Sequence, residues 1–400
     1  MEELLMEKLS DQSRLRPWMG FVLFGVVMAL FIFVCAPLQQ NLGIPGLIIT
    51  ELGFLALAVI YCLIRRVKIK EVFPVKKVKA REIFGCILLV LGTFPVSLML
   101  VAITAIVFPA SKSEITDLSS FIYGNLNFPL AVLIVALLPA ICEEAIHRGA
   151  ILSNFRGLKH DWVIVLIMGL FFGINHMSVL RFLTTMTLGL ILSYVVVKKN
   201  NIILSMIMHF TNNMISVCIT YLLGQGNVAS TSASSIDYST VLGSYMLLGF
   251  ASPILITLGL MLVYREGHKK IRFLYAGILA TALLIGGASL NTYTGMKNML
   301  LNSTISYQVT ADDKVDSTLD FTVEEERDAT IVVVVMNAEG DYNVRIDGDT
   351  GVSVINAPVP QGVVRTLTYN VKLPADHYVV TIEAGDNAVG EKPQFQVTVR

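Results

Sequence analysis

Nine long apolar stretches run along the first 290 positions, near residues 17–37, 45–64, 84–109, 128–155, 162–177, 180–197, 202–223, 241–264 and 273–290. A helix rises 1.5 Å per residue and needs about 20 apolar residues to cross a bilayer. The pattern therefore predicts an all-α polytopic membrane helix bundle of about eight to nine transmembrane helices. The stretch at 162–177 is short for a span and that at 128–155 is long. From about residue 303 the pattern changes to short β-rich runs: "STISYQVTA", "TLDFTV", "ATIVVVVM", "TLTYNVKL", "HYVVTIEA" and "QFQVTVR". The turn signals "EGD", "DGDTG", "PVPQG" and "AGDN" separate them, which predicts a small β-sandwich-like domain. The expected domains are residues 1–300 and 301–400.

Composition agrees with a membrane protein: 54% of residues are hydrophobic, 15% are charged, and mean hydropathy is +0.68. Soluble domains carry nearer a quarter charged residues. The net charge of zero hides an asymmetry. Residues 1–300 hold 23 Lys/Arg against 14 Asp/Glu, whereas residues 301–400 hold 7 against 16. All five cysteines lie in apolar segments and none in the acidic tail, so no disulfide framework is implied. Cys142 beside the Glu pair reads as a buried thiol. The polar lead before the first span, and Pro37 after "VCA", favour a retained anchor over a cleaved signal.

Charge also gives an orientation. With the N-terminus in the cytoplasm and nine helices threaded in turn, nineteen Lys and Arg fall on the inner side, including Lys8, Arg14 and Lys269. Only Lys112, Arg181 and Lys297 fall outside before residue 301, and Arg148 lies within a span. Basic residues favour the cytoplasmic face, so the expected location is the cell membrane, with a cytoplasmic N-terminus and an extracytoplasmic C-terminal domain. Trp18 and Trp162 both open spans, as interfacial aromatic anchors do. "DGDTG" in the tail could suggest Ca²⁺, but an ordinary hairpin turn is the favoured reading.

Against this apolar background, "PAICEEAIHRGAIL" (Pro139–Leu152) is anomalous. Charged groups at membrane depth are costly unless paired or facing water. Glu143 lies about 22 Å from the outer end of its span at 1.5 Å per residue. Residues four apart share a helix face, so Glu144 can pair with Arg148, and Glu143 with His147. If Arg148 neutralises one carboxylate, the other remains for proton transfer. A buried ion-pair network that locks helices is the plainer alternative. Two more spans carry polar groups: "GLFFGINHMS" supplies Asn175 and His176, and "MIMHFTNNMIS" supplies His209 and Asn213 on one face. Three such spans together point to a convergent site. Glu51, in the second span, is a further intramembrane carboxyl with no role legible in the sequence.

Glu, His, His and Asn lack a nucleophile paired with a base. A carboxylate can deprotonate water, an imidazole can orient it, and His with Asn can donate to a developing oxyanion. That set suits amide hydrolysis. Glu143, His176 and His209 could instead hold a divalent metal such as zinc, although HExxH is absent.

In order, "EEAIHR" (Glu143–Arg148), "FGINH" (Phe172–His176) and "HFTNN" (His209–Asn213) match EExxxR, FxxxH and HxxxN/D. This ordered trio resembles the CPBP family of CAAX prenyl endopeptidases and bacteriocin-processing or immunity proteins, over about residues 80–225. The resemblance implies a helix bundle around a cavity open to membrane and cytosol. By it, Glu143 would activate water, with His176 holding that water. His209 and Asn213 would stabilise the oxyanion, and Glu144 and Arg148 would serve structure and electrostatics. A glutamate-type and a metal-dependent mechanism both remain open, and His147 lies outside the motif.

The expected activity is therefore an intramembrane endopeptidase acting on a membrane-associated or lipidated peptide. The alternatives are a non-enzymatic immunity or scaffold protein and an ion-coupled transporter; the chain lacks the inverted repeats that the last would favour. The bilayer and a peptide or lipidated protein are the expected partners, with an extracytoplasmic protein or cell-wall partner for the tail and no nucleic acid. A prenylated CAAX protein is not the expected native substrate.

Overall fold

The computed structural model describes residues 15–113, 126–222, 237–265, 270–359 and 365–400. Lys8, Arg14, Lys269 and the centre of the "PVPQG" turn lie outside them. The chain forms two compact units, residues 1–291 and 292–400.

The first unit is helical. Its helices are α1 (Pro17–Leu42), α2 (Ile44–Arg65), α3 (Ala80–Val107), α4 (Phe128–Ile151), α5 (Asp161–Asn175), α6 (Val179–Lys199), α7 (Ile202–Leu222), α8 (Tyr238–Tyr264) and α9 (Lys270–Lys297). Eight are long and apolar enough to cross a membrane; α5, the short stretch in the sequence, is the exception. Large apolar side chains such as Phe33, Ile64, Phe84 and Leu279 point outward and are more than half exposed. On a water-soluble surface that would be a liability, but on a bilayer-facing one it is solvation. The protein is a multi-pass membrane protein.

Helix ends follow local chemistry. Pro17 and Pro45 sit in the first turns of α1 and α2, where a missing N–H costs nothing. Asn127 and Ser178 cap α4 and α6 through their side-chain oxygens. Asn200 closes α6 in the left-handed conformation, φ 48°. Within the bundle α5 packs on α6, α3 on α8, and α4 contacts both α2 and α7. Helices α4 and α7 and the C-terminal end of α5 carry the polar residues described below, and α2 carries buried Glu51.

The second unit is a sandwich of two four-stranded antiparallel sheets. Its strands are β1 (Leu301–Ser306), β2 (Val315–Val323), β3 (Arg327–Met336), β4 (Tyr342–Gly348), β5 (Ser353–Pro358), β6 (Arg365–Leu373), β7 (Asp376–Ala384) and β8 (Gln394–Val399). One sheet runs β1-β8-β3-β6 and the other β2-β7-β4-β5. Alternate residues point inward, as in Ile331, Val333 and Val335 of β3 and Tyr342, Val344 and Ile346 of β4. Together with Phe395, Val397 and Tyr378 they form one core shared by both sheets. "DGDTG" is the β4–β5 hairpin turn: Gly351 takes φ +87°, and Gly348 N–H donates to Val352 O at 2.8 Å.

One surface cluster on this unit gives a pH prediction. His377 Nε2 lies 3.1 Å from Asp320 Oδ2, and its Nδ1 lies 3.5 Å from Asp349 Oδ2. The hydrogen bond to Asp320, backed by Asp349, raises its pKa above the ordinary 6.5. A raised folded value contributes stability that is full below the unfolded pKa and lost as pH rises through the folded one. Protection of β2 and β7 amides, corrected for intrinsic exchange, is expected to fall across that window, and His377→Gln is expected to remove the step.

Candidate active site

Helix α4 is irregular where it carries charge. It widens to π-type turns at Val132–Leu137 and again at Ala145–Ile151. Such turns shift the side-chain register and recur at functional sites. Pro139 lies between them and has no N–H for the carbonyl of Val135, four residues earlier. Asn213 of α7 meets that need, donating its amide Nδ2 to Val135 O at 3.2 Å.

Glu144 and Arg148 form a wholly buried ion pair at 2.9 Å. Arg148 also donates Nη2–H to the carbonyl of Gly189 on α6, at 3.2 Å. Glu144 Oε1 meets His209 Nδ1 of α7 at 3.1 Å. One carboxylate thus ties α4 to α7 and, through Arg148, to α6. The pair expected between Glu143 and His147 is not formed. The π-turn rotates His147 away, and its ring stands edge-on to Phe172 with both nitrogens lacking hydrogen-bond partners. Arg148 keeps Glu144 because its side chain is long enough to span the altered register.

Phe172 on α5 is the hub. The Arg148 guanidinium lies 4.3 Å from its ring centroid. The rings of His176, His147 and His209 lie edge-on to it at 4.9, 5.3 and 5.7 Å. Four side chains from three helices therefore pack around one phenyl ring. The FxxxH match singles out Phe172 with His176, but the sequence does not disclose that Arg148, His147 and His209 also pack on its ring.

His176 sits just past the last residue of α5. Its backbone N–H bonds to Gly173 O, leaving Phe172 O to accept from its Nδ1 at 2.8 Å. That contact assigns the proton to Nδ1 and leaves Nε2 as an acceptor. His176 and His209, from different helices, pack on the same ring. Glu143 is half-buried, and its Oε2 is shielded without a hydrogen-bond partner. It lies within reach of the charges on Glu144, Arg148, His209 and Arg181.

Among the described residues no group of three or more His, Cys, Asp or Glu side chains converges as a metal site must. The Nδ1 atoms of His176 and His209 are engaged by Phe172 O and Glu144 Oε1, so it is Nε2 of each ring that is available to a ligand or substrate.

The close approach of α5 and α6 depends on glycine. A Cβ at Gly189 would lie 2.8 Å from Phe172 Cβ and 3.1 Å from Gly169 Cα. Gly189→Val is expected to push α6 off Phe172 and to cost about 1–3 kcal/mol by overpacking. A lowered melting temperature in detergent, with Gly25→Val at an open position as control, is the check.

Comparison with known proteins places this constellation. Residues 125–215 match the family described as Rce1-like, type II CAAX prenyl endopeptidase. That segment contains all three motifs and bears out the CPBP resemblance. No curated protein matches the chain. Among solved structures, the pre-peptidase C-terminal domain of a collagenase from Bacillus anthracis matches at 19% identity and TM-score 0.20, covering 25% of this chain and 90% of that one.

Proposed function

We propose, from the Rce1-like CAAX prenyl endopeptidase match as premise, that the protein is an intramembrane endopeptidase using Glu143 as general base. Its substrate on this reading is a membrane-associated or lipidated peptide. The observation that supports it most is the gathering of His176, His209 and Arg148 around Phe172, beside Glu143.

In this mechanism water donates a hydrogen bond to Nε2 of His176 and gives a proton to Glu143 as its oxygen attacks the scissile carbonyl carbon. Charge develops on the carbonyl oxygen. Asn213 keeps a second amide hydrogen beyond the one given to Val135, and His209 presents Nε2. With Nδ1–H directed at Glu144, Nε2 must carry a proton of its own to donate to the carbonyl oxygen. Glu143 then returns its proton to the leaving nitrogen as the C–N bond breaks, yielding a carboxylate and an amine. Arg148 and Glu144 touch no reacting atom; they hold His209 and Phe172 in place.

Access from the bilayer is consistent with this chemistry. An apolar cavity of about 440 Å³ lies between α3, α5 and α6, lined in part by Gly173, Ile174, Met177 and Ser178, neighbours of His176 in the chain, while His176 itself is not in its wall. It suits an apolar substrate group. With the N-terminus in the cytoplasm, as the charge distribution favours, the β-sandwich lies outside on the reading that short α5 crosses together with the eight longer helices; there it recruits a substrate or partner.

The test compares protein N-termini by mass spectrometry among cells lacking the gene, cells with wild type restored, and cells with Glu143→Ala restored at equal membrane level. Termini found only with wild type are expected. Identical termini in all three would favour the immunity or scaffold reading.

A further inference from the structure

Helices α8 and α9 lie beyond the matched segment 125–215, yet they complete a cavity for which endopeptidase chemistry has no use. It encloses about 620 Å³ between α3, α6, α8 and α9. Residues such as Ile256, Leu279 and Leu283 make most of its wall apolar. One end differs. Tyr194 near the close of α6, Tyr264 at the close of α8, and Arg272 and Tyr275 in the first two turns of α9 line it there. The rings of Tyr194 and Tyr264 meet edge-on at 5.6 Å. Arg272 is half-buried, whereas Tyr275 and Leu279 are more than half exposed, so the cavity opens sideways toward the bilayer.

Length and charge together select an occupant. From Arg272 to Leu283 the groove follows α9 for eleven residues, about 16 Å at 1.5 Å per residue. One leaflet supplies about 15 Å, half of a hydrocarbon core of about 30 Å. The groove therefore runs the depth of one leaflet. Arg272 is the one charged side chain in its described wall, and it stands at the end, not in the middle. The sequence at that end, "REGHKKIR" (Arg265–Arg272), holds four Lys/Arg against one Glu. A basic cluster beside a membrane-spanning helix attracts anionic headgroups. A guanidinium grips phosphate through two parallel N–H donors, and tyrosines settle at headgroup level.

We propose that this groove binds one anionic glycerophospholipid of the bilayer, with its phosphate at Arg272 and one acyl chain lying along α9 toward Leu283. On the proposed orientation the lipid belongs to the cytoplasmic leaflet. The site uses none of the side chains assigned to catalysis, so it stands or falls separately from the peptidase activity.

Two measurements test it. In the first, the purified full chain in detergent is titrated with dioleoyl phosphatidylglycerol or dioleoyl phosphatidylcholine and read by native mass spectrometry. One phosphatidylglycerol is expected to bind about tenfold more tightly than phosphatidylcholine. Arg272→Gln is expected to lose about fivefold in phosphatidylglycerol affinity. Lys77→Gln, at an exposed lysine on the segment before α3, is expected to lose none. Equal affinity for the two lipids in wild type, or an equal loss in the two variants, overturns the proposal. The second measurement needs no substitution. Phosphatidylglycerol carrying a diazirine at mid-chain is photocrosslinked to wild type, and the adducts are mapped by peptide mass spectrometry. Adducts are expected on Ile256, Leu279 or Leu283 and are expected to disappear when unlabelled phosphatidylglycerol competes. Adducts as strong on the outward faces of α1 and α2 would mean general lipid solvation only, and would overturn it.

Discussion

Glu143→Gln is expected to reduce proteolysis by at least about 10³-fold while the protein remains folded, within the range general acid–base groups supply. Glutamine keeps the shape and one acceptor oxygen but cannot take a proton from water. The neighbouring structure does not depend on ionised Glu143, because the helix ties run through Glu144, Arg148 and His209. The variant is therefore expected to keep its melting temperature within a few degrees and to retain substrate affinity. Turnover and thermal melting measured on one preparation check both halves. A variant that loses activity and stability together would instead make Glu143 part of the scaffold.

Arg148→Ala is expected to do the opposite, with the largest effect on stability. It leaves Glu144 wholly buried without its countercharge, a change that costs about 3–5 kcal/mol. It also removes the donor to Gly189 O and the cation over Phe172, uncoupling α6 and α5 from α4. Activity falls with it, because His209 and His176 both pack on Phe172. The double variant Glu144→Gln/Arg148→Met removes the uncompensated charge. It is expected to recover much of the stability and little of the activity, since His209 then lacks its anchor. Unfolding in a mild denaturant, with turnover on the same samples, separates the two contributions.

The spans were readable because bilayer solvation imposes a length and a polarity on each helix, and short α5 was flagged by its length. The Glu144–Arg148 pair followed from spacing. His147 did not follow spacing, because the π-turn at Ala145–Ile151 breaks the regular register that a four-residue rule assumes. The β4–β5 hairpin was missed as strands. Its outward Asn343, Arg345 and Asp347 dilute the apolar signal, although Tyr342, Val344 and Ile346 alternate with them as an inward face requires. Phe172 was legible as the partner of His176 but not of Arg148, His147 or His209. What makes it matter is the approach of other helices, and only tertiary packing supplies that.

Peptide-bond hydrolysis by water that Glu143 activates would leave the water's oxygen in the new C-terminus. Incubating membranes that carry wild type or Glu143→Gln in ¹⁸O-water, then identifying new peptide C-termini by mass spectrometry, tests it most directly. ¹⁸O-labelled C-termini are expected to appear with wild type and to be absent with Glu143→Gln. The same labelled termini in both samples, or none in either, would contradict it.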